Sequence, residues 1–194
     1  MKIRLGVAVL WLGLVGLAGC MPKSFVDPGL YQGGLKTAPR LDTPIPVELR
    51  VRGYTQGKEN ARATEFWTRQ ITKALDDSHA LAPSASPGTA RHKLAVDMDN
   101  VGDMGTAFGK GFMTGLTLGL VGSTVTDGYV MRATFSGPDG EASEHEYRHA
   151  IHSMIGNADP PQGVATMSPM EAAIQVVDDL VAHLLRDLKS EGRI

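Results

Sequence analysis

The chain has one cysteine, Cys20, among 194 residues, so no disulfide can form within a monomer and no second thiol is left for nucleophilic work. It has no Gly-x-Ser-x-Gly elbow and no phosphate loop ending in Gly-Lys-Ser/Thr, and with them go the most legible signatures of a hydrolase and of a nucleotide-binding fold. Charge of one sign is also missing: the net charge is −2, whereas a nucleic-acid binder needs a basic face to displace counterions from phosphates. Long apolar runs are confined to the first twenty residues and to a stretch around residues 104–122. What remains, 42% hydrophobic and 21% charged, is the composition of one folded domain rather than of a disordered chain or a multi-span membrane protein.

The N-terminus carries a different kind of information. Met-Lys-Ile-Arg is followed by an uncharged stretch, residues 5–17, and then by Leu17-Ala18-Gly19-Cys20. A basic end, an apolar middle and small residues make the pattern of an export signal. As a helix the middle would reach roughly 20 Å, short of the ~30 Å hydrocarbon core, which argues against a permanent span. Leu17-Ala18-Gly19-Cys20 resembles the lipobox of bacterial lipoproteins, and that resemblance implies removal of residues 1–19 and acylation of Cys20. Loss of Lys2 and Arg4, with no acid, would take the charge from −2 to −4. The anchor would then be the acyl chains, each buried methylene contributing about 0.8 kcal/mol, and not attraction to anionic lipid. By analogy with lipoprotein sorting, Met21 in place of an aspartate points to the periplasmic face of the outer membrane.

Residues 20–46 hold Pro22, Pro28, Pro39, Pro44 and Pro46 with Gly29, Gly33 and Gly34 and no apolar period, and read as a flexible tether spanning roughly 27 Å as a coil. Residues 47–194 read as a single α+β domain of β-α-β-β-β-α order, a four-stranded, mostly antiparallel sheet with two helices on one face. Its strands are marked by alternation: Val47, Leu49 and Val51; Leu94, Val96 and Met98; Tyr129, Met131, Ala133 and Phe135; and a return strand from Glu144 to about Ser153 after the Gly137-Pro138-Asp139-Gly140 turn. Asn60 is expected to cap a helix reaching about Asp77, with Phe66, Trp67, Ile71, Ala74 and Leu75 inward. Residues 82–89 read as a loop. Ser168-Pro169-Met170-Glu171 combines a capping box with proline in the first turn. It opens a last helix whose stripe is Met170, Ile174, Val177, Val181, Leu184 and Leu188, stopped by Gly192.

Between strands two and three, residues 102–128 form a glycine-rich apolar insertion. Lys110 is the one charge between Met104 and Gly122, and Gly111, Gly115 and Gly119 recur at spacing four. Three readings fit: a loop or irregular strand packed on the domain, a hairpin that meets a membrane or partner, or a glycine-zipper helix. If exposed, Phe108, Phe112, Met113, Leu116, Leu118 and Leu120 would be an interaction surface.

His145, His149 and His152 invite a metal reading. On a helix all three share a face; on the strand expected here, His145 and His149 share one face and His152 takes the other, which favours an ordinary strand over a metal site. Asp97 to Gly102 opens like a calcium loop, but Val101 and Phe108 occupy ligand positions. No residue is singled out as catalytic, no metal ligand set is assigned, and no cofactor is called for. In length, anchor and element order the chain is similar to small envelope lipoproteins such as the LPS-assembly lipoprotein and the penicillin-binding-protein activator lipoproteins. The resemblance implies a non-catalytic partner of a larger envelope assembly. Two alternatives stand beside it: a metal-dependent or hydrolytic periplasmic enzyme using His145, His149 and the acids near Asp97, if these meet in a cleft, and a carrier of an apolar ligand beneath the glycine-rich run.

Overall fold

The computed structural model describes residues 23–86, 88–103, 124–156 and 159–194. In chain order the elements are β1 (Ser24–Val26), a 3-10 turn (Gly34–Thr37), β2 (Ile45–Thr55), β3 (Lys58–Glu59), α1 (Ala61–Ser78), β4 (Leu81–Pro83), β5 (His92–Asp103), β6 (Thr124–Ser136), β7 (Ala142–Met154) and α2 (Pro169–Ser190). They build one sheet in the order β1-β7-β6-β5-β2-β3, with β4 also on β2. β2 runs parallel to β4 and β5, and every other pairing is antiparallel.

The α+β class and both expected helices agree with the sequence reading, but among the described residues the sheet has seven strands and not four. The three extra strands are two or three residues long, too short to display a period of two. β1 is buried at every position, so it shows no alternation at all. β4 takes the first residues of the expected 82–89 loop; it pairs along the N-terminal half of β2 and ends on Pro83, a residue that sheets admit at an edge or a strand end.

Alternation in the four long strands does what it predicts. Val47, Val51, Leu94, Val96, Met98, Met131, Phe135 and Tyr147 enter a single apolar cluster with Trp67, Ile71 and Leu75 of α1 and with α2. On the opposite face, register brings Arg52 beside Asp97 and Arg132 beside Glu146, as ion pairs at 2.5 Å and 2.9 Å. Such exposed pairs stabilise by about 0–1 kcal/mol and chiefly keep that face wet.

Asn60 caps α1 by accepting from the amides of Arg62 and Ala63 at 3.0 Å and 3.3 Å. Ser168 and Glu171 form the expected reciprocal box on α2. At Gly53 a Cβ would stand 2.3 Å from the Thr64 nitrogen; the bare backbone lets the first turn of α1 lie directly on β2, where the Gly53 amide donates to Thr64 Oγ1 at 2.8 Å. The inward stripe of α2 differs from expectation at its start. Met170 is 57% exposed, Ile174 is only partly buried, and the buried row is Ala172, Val176, Val177, Leu180, Val181, Leu184, Leu185 and Leu188.

Two segment boundaries also move. Where a flexible tether is expected, the described part from Lys23 onward is packed: β1 pairs with β7, and Tyr31, Leu35, Ala38 and Leu41 rest against the core. The insertion narrows as well, since β5 runs to Asp103 and β6 begins at Thr124. Phe108, Phe112, Met113, Leu116, Leu118 and Leu120 lie outside the described residues, as does Cys20.

Candidate functional site

β7 presents its histidines on two faces, as a strand must. Register sets His145 opposite Ala133 and His149 opposite Tyr129 on the helix side, while His152 stands opposite Thr126 on the other side. They do not converge. Among the described residues no group of three His, Cys, Asp or Glu side chains is placed to hold a metal ion. The proposed meeting of His145, His149 and Asp97 fails for the same geometric reason: Asp97 sits on the outer face in a pair with Arg52. Asp99, its neighbour in the calcium-like stretch, accepts instead from the Gly57 amide at 3.1–3.2 Å. His145 lies 3.1 Å from Ser143 Oγ and 3.7 Å from Glu191 Oε2.

The two remaining histidines are buried, and each faces one aspartate. His149 is wholly inaccessible. Its Nδ1 accepts the Ala150 amide at 2.9 Å, which leaves the ring proton on Nε2. That nitrogen stands 3.3 Å from the Tyr31 carbonyl and 3.4 Å from Asp179 Oδ2. Asp179, buried on α2, accepts the Gly34 amide on its other oxygen at 2.8 Å. Gly33 and Gly34 have φ of 93° and 50°, the left-handed region that glycine enters without a Cβ penalty. The pair that reads as slack in the sequence therefore makes the turn that aims an N–H at a buried carboxylate. Around this point the Tyr31 ring lies 4.1 Å from that of His183, tilted by 37°, and meets Tyr147 edge-on at 5.9 Å, and the Tyr147 hydroxyl donates to Asp187 at 2.6 Å. Burial and that bonded carboxylate push the Tyr147 phenol well above its usual range.

His152 repeats the arrangement on the other face. Its Nδ1 is 2.8 Å from Thr126 Oγ1 and its Nε2 3.4 Å from Asp27 Oδ2, with the Phe25 ring 4.9 Å away. Asp27 also accepts the Gly29 amide at 2.7 Å. Hydroxyl, imidazole and carboxylate in a row have the parts of a nucleophilic relay, but a relay must open onto a substrate. A cleft of about 240 Å³ reaches Asp27 and Asp179, and neither Thr126 nor His152 lines it. What both pairs do hold is chain: Asp27, Gly29, Tyr31 and Gly34 are fastened through them to β7 and α2. The buried aspartates were not legible in the sequence. Asp179 falls where a helical projection puts it beside apolar Val176 and Leu180, and only an odd acid on an inward face would have marked it.

Beside this clasp lies Asp178, at a groove of about 750 Å³ that Gly33, Lys36, Met167 and Gln175 also line. Burial, reinforced by the charge of Asp179 and only partly opposed by Lys73, lifts its carboxyl from the ordinary 3.8 to about 6. The folded state thus holds this proton more tightly than the unfolded chain. Stability contributed by this group is complete below pH ~4 and falls as the pH rises toward about 6, by at most about 3 kcal/mol. Asp178→Asn is expected to raise the urea midpoint at pH 7.5 and to flatten the decline between pH 4 and pH 6; equal midpoints for the two proteins across that window would refute the assignment.

No protein-family model matches the chain, and no curated protein matches it. Among solved structures it is similar to protein XCC0632 from Xanthomonas campestris, described under the family model DUF330, at 16% identity and a TM-score of 0.44, over 87% of this chain and 93% of that one. It is also similar to a PelC dodecamer from Paraburkholderia phytofirmans, at 10% identity and a TM-score of 0.37, over 82% of this chain and 97% of that one.

Proposed function

We propose that the protein is a lipid-anchored envelope lipoprotein, acylated at Cys20 and held at the periplasmic face of the outer membrane, which acts without catalysis as an interaction, assembly or regulatory module of a membrane or periplasmic complex. One observation carries the reading. From Lys23, three positions past the lipobox-like cysteine, the chain is built into the sheet, with the Met154 amide donating to the Lys23 carbonyl at 2.9 Å and β1 paired to β7. Buried polar side chains that could have been reagents are spent on holding that segment in place. An anchor attached through such a segment transmits position to the whole domain, which suits a docking module. None of the helices among the described residues is long and apolar enough to cross a membrane, so attachment in this reading falls to acyl chains.

Cys20→Ser is expected to abolish fatty-acid labelling and to move the protein from the membrane fraction to the soluble one. Continued labelling would refute the reading. For the partner, a photoreactive residue at Leu116 is expected to capture an envelope protein, the run of residues 104–122, with Lys110 as its one charge, being the proposed contact.

A further inference from the structure

We infer that the end of the sheet carrying Val125, Ile155 and Met170 is seated on the bilayer surface, an inference that rests on acylation of Cys20. Val125, Ile155 and Met170 are 49%, 59% and 57% exposed, and the fold gathers them. Val125 pairs with Ser153, Ser153 with Ser24, and Ser24 with Met167 through two backbone bonds of 2.8 Å. That row crosses one end of the sheet in three strand spacings, about 15 Å. Ile155 follows β7 directly at this end, and Met170 stands in the first turn of α2, three residues past Met167.

The chain leaves for Cys20 from the middle of the same row, at Lys23. Three residues fully extended reach about 10 Å, and the headgroup layer on each side of the hydrocarbon core is only some 5–8 Å deep. With its acyl chains in the leaflet, Cys20 holds this rim at the headgroups and gives the domain no length in which to hang clear. The rim suits that position. Val125, Ile155 and Met170 are the large apolar side chains exposed among the described residues, of the kind that enters the acyl boundary; exposed Thr166 and Glu171 flank them, and Lys23, exposed at the centre of the row, is placed to meet lipid phosphate. The opposite end of the sheet, the Gly137–Gly140 turn, would stand about 40 Å away, the length of a 13-residue strand.

The test uses the full acylated chain in phosphatidylethanolamine and phosphatidylglycerol vesicles that carry a spin-labelled headgroup-region lipid. A fluorophore is attached through Ile155→Cys or, at the far end, through Asp139→Cys, with the mass of the acylated N-terminus recorded for each protein. The expected result is a blue-shifted label at position 155 that loses most of its emission to the spin-labelled lipid, with position 139 unaffected. Equal response at both positions in acylated, vesicle-bound protein would overturn the inference and leave the lipoprotein reading standing. A blue shift at 155 without quenching by lipid would also overturn it, in favour of a second copy or another protein on this rim. Absence of the acyl mass would overturn both.

Discussion

Leu184→Asp is expected to leave the protein with no cooperative thermal transition. Leu184 is 1% exposed, in the row of α2 that faces the sheet. Losing its apolar burial costs about 1.5–3 kcal/mol, and an unpaired carboxyl in that position adds several more whether it ionises or stays protonated. Together these approach the 5–15 kcal/mol by which a domain is stable at all. Leu184→Met preserves volume and is expected to cost less than ~1.5 kcal/mol. Circular dichroism melts of the two variants provide the check, and a near-native melting temperature for the aspartate variant would mean that this face of α2 is not core.

The second large effect belongs to the clasp. Asp179→Ala removes the acceptor of the Gly34 amide and the carboxylate facing His149, both inside the protein. Losing a hydrogen bond to a buried charged group costs about 1.5–3 kcal/mol, since the Gly34 amide is left without its acceptor. Asp179→Asn, which can still accept from Gly34, is expected to cost less. The double variant with His149→Ala is expected to lose less than the sum of the singles, the signature of side chains that act on each other. Amide exchange sharpens the picture: protection in residues 27–41 should fall first, because these are the residues the clasp holds. If Asp179→Ala left both the midpoint and that protection unchanged, the pair would not be what fastens the N-terminal segment. In the lipoprotein reading, release of residues 23–41 would also turn a close mooring into a coil of about 25 Å, letting the rim described above swing free of the bilayer.

Four of the seven strands and both helices were legible from residue order alone, and the reasons are local. Val47 to Val51 and Leu94 to Met98 alternate because one face of each strand is wet, and Arg52, Asp97, Arg132 and Glu146 on the other face keep that alternation clean. Asn60 and Ser168 announce helix starts because a side-chain oxygen satisfies amides that no preceding turn can reach. The two-sided placing of the histidines is legible for the same reason: a strand puts His145 and His149 on one side and His152 on the other.

The segment 23–41 shows where such reasoning ends. Ser24 to Val26 is buried on both sides and three residues long, so nothing periodic marks it, and Gly33-Gly34 looks like slack until Asp179 is seen opposite, 145 positions along the chain. Residue order by itself determined the helix caps, the alternating strands and the α+β class, since each depends on neighbours within a few positions. Only the tertiary structure decided that a proline-rich stretch becomes an edge strand, that two buried aspartates clasp it through histidines, and that the exposed apolar residues share one rim with the route to Cys20. Those outcomes depend on groups distant in sequence meeting inside the protein, where a buried amide such as that of Gly34 is costly to leave without an acceptor.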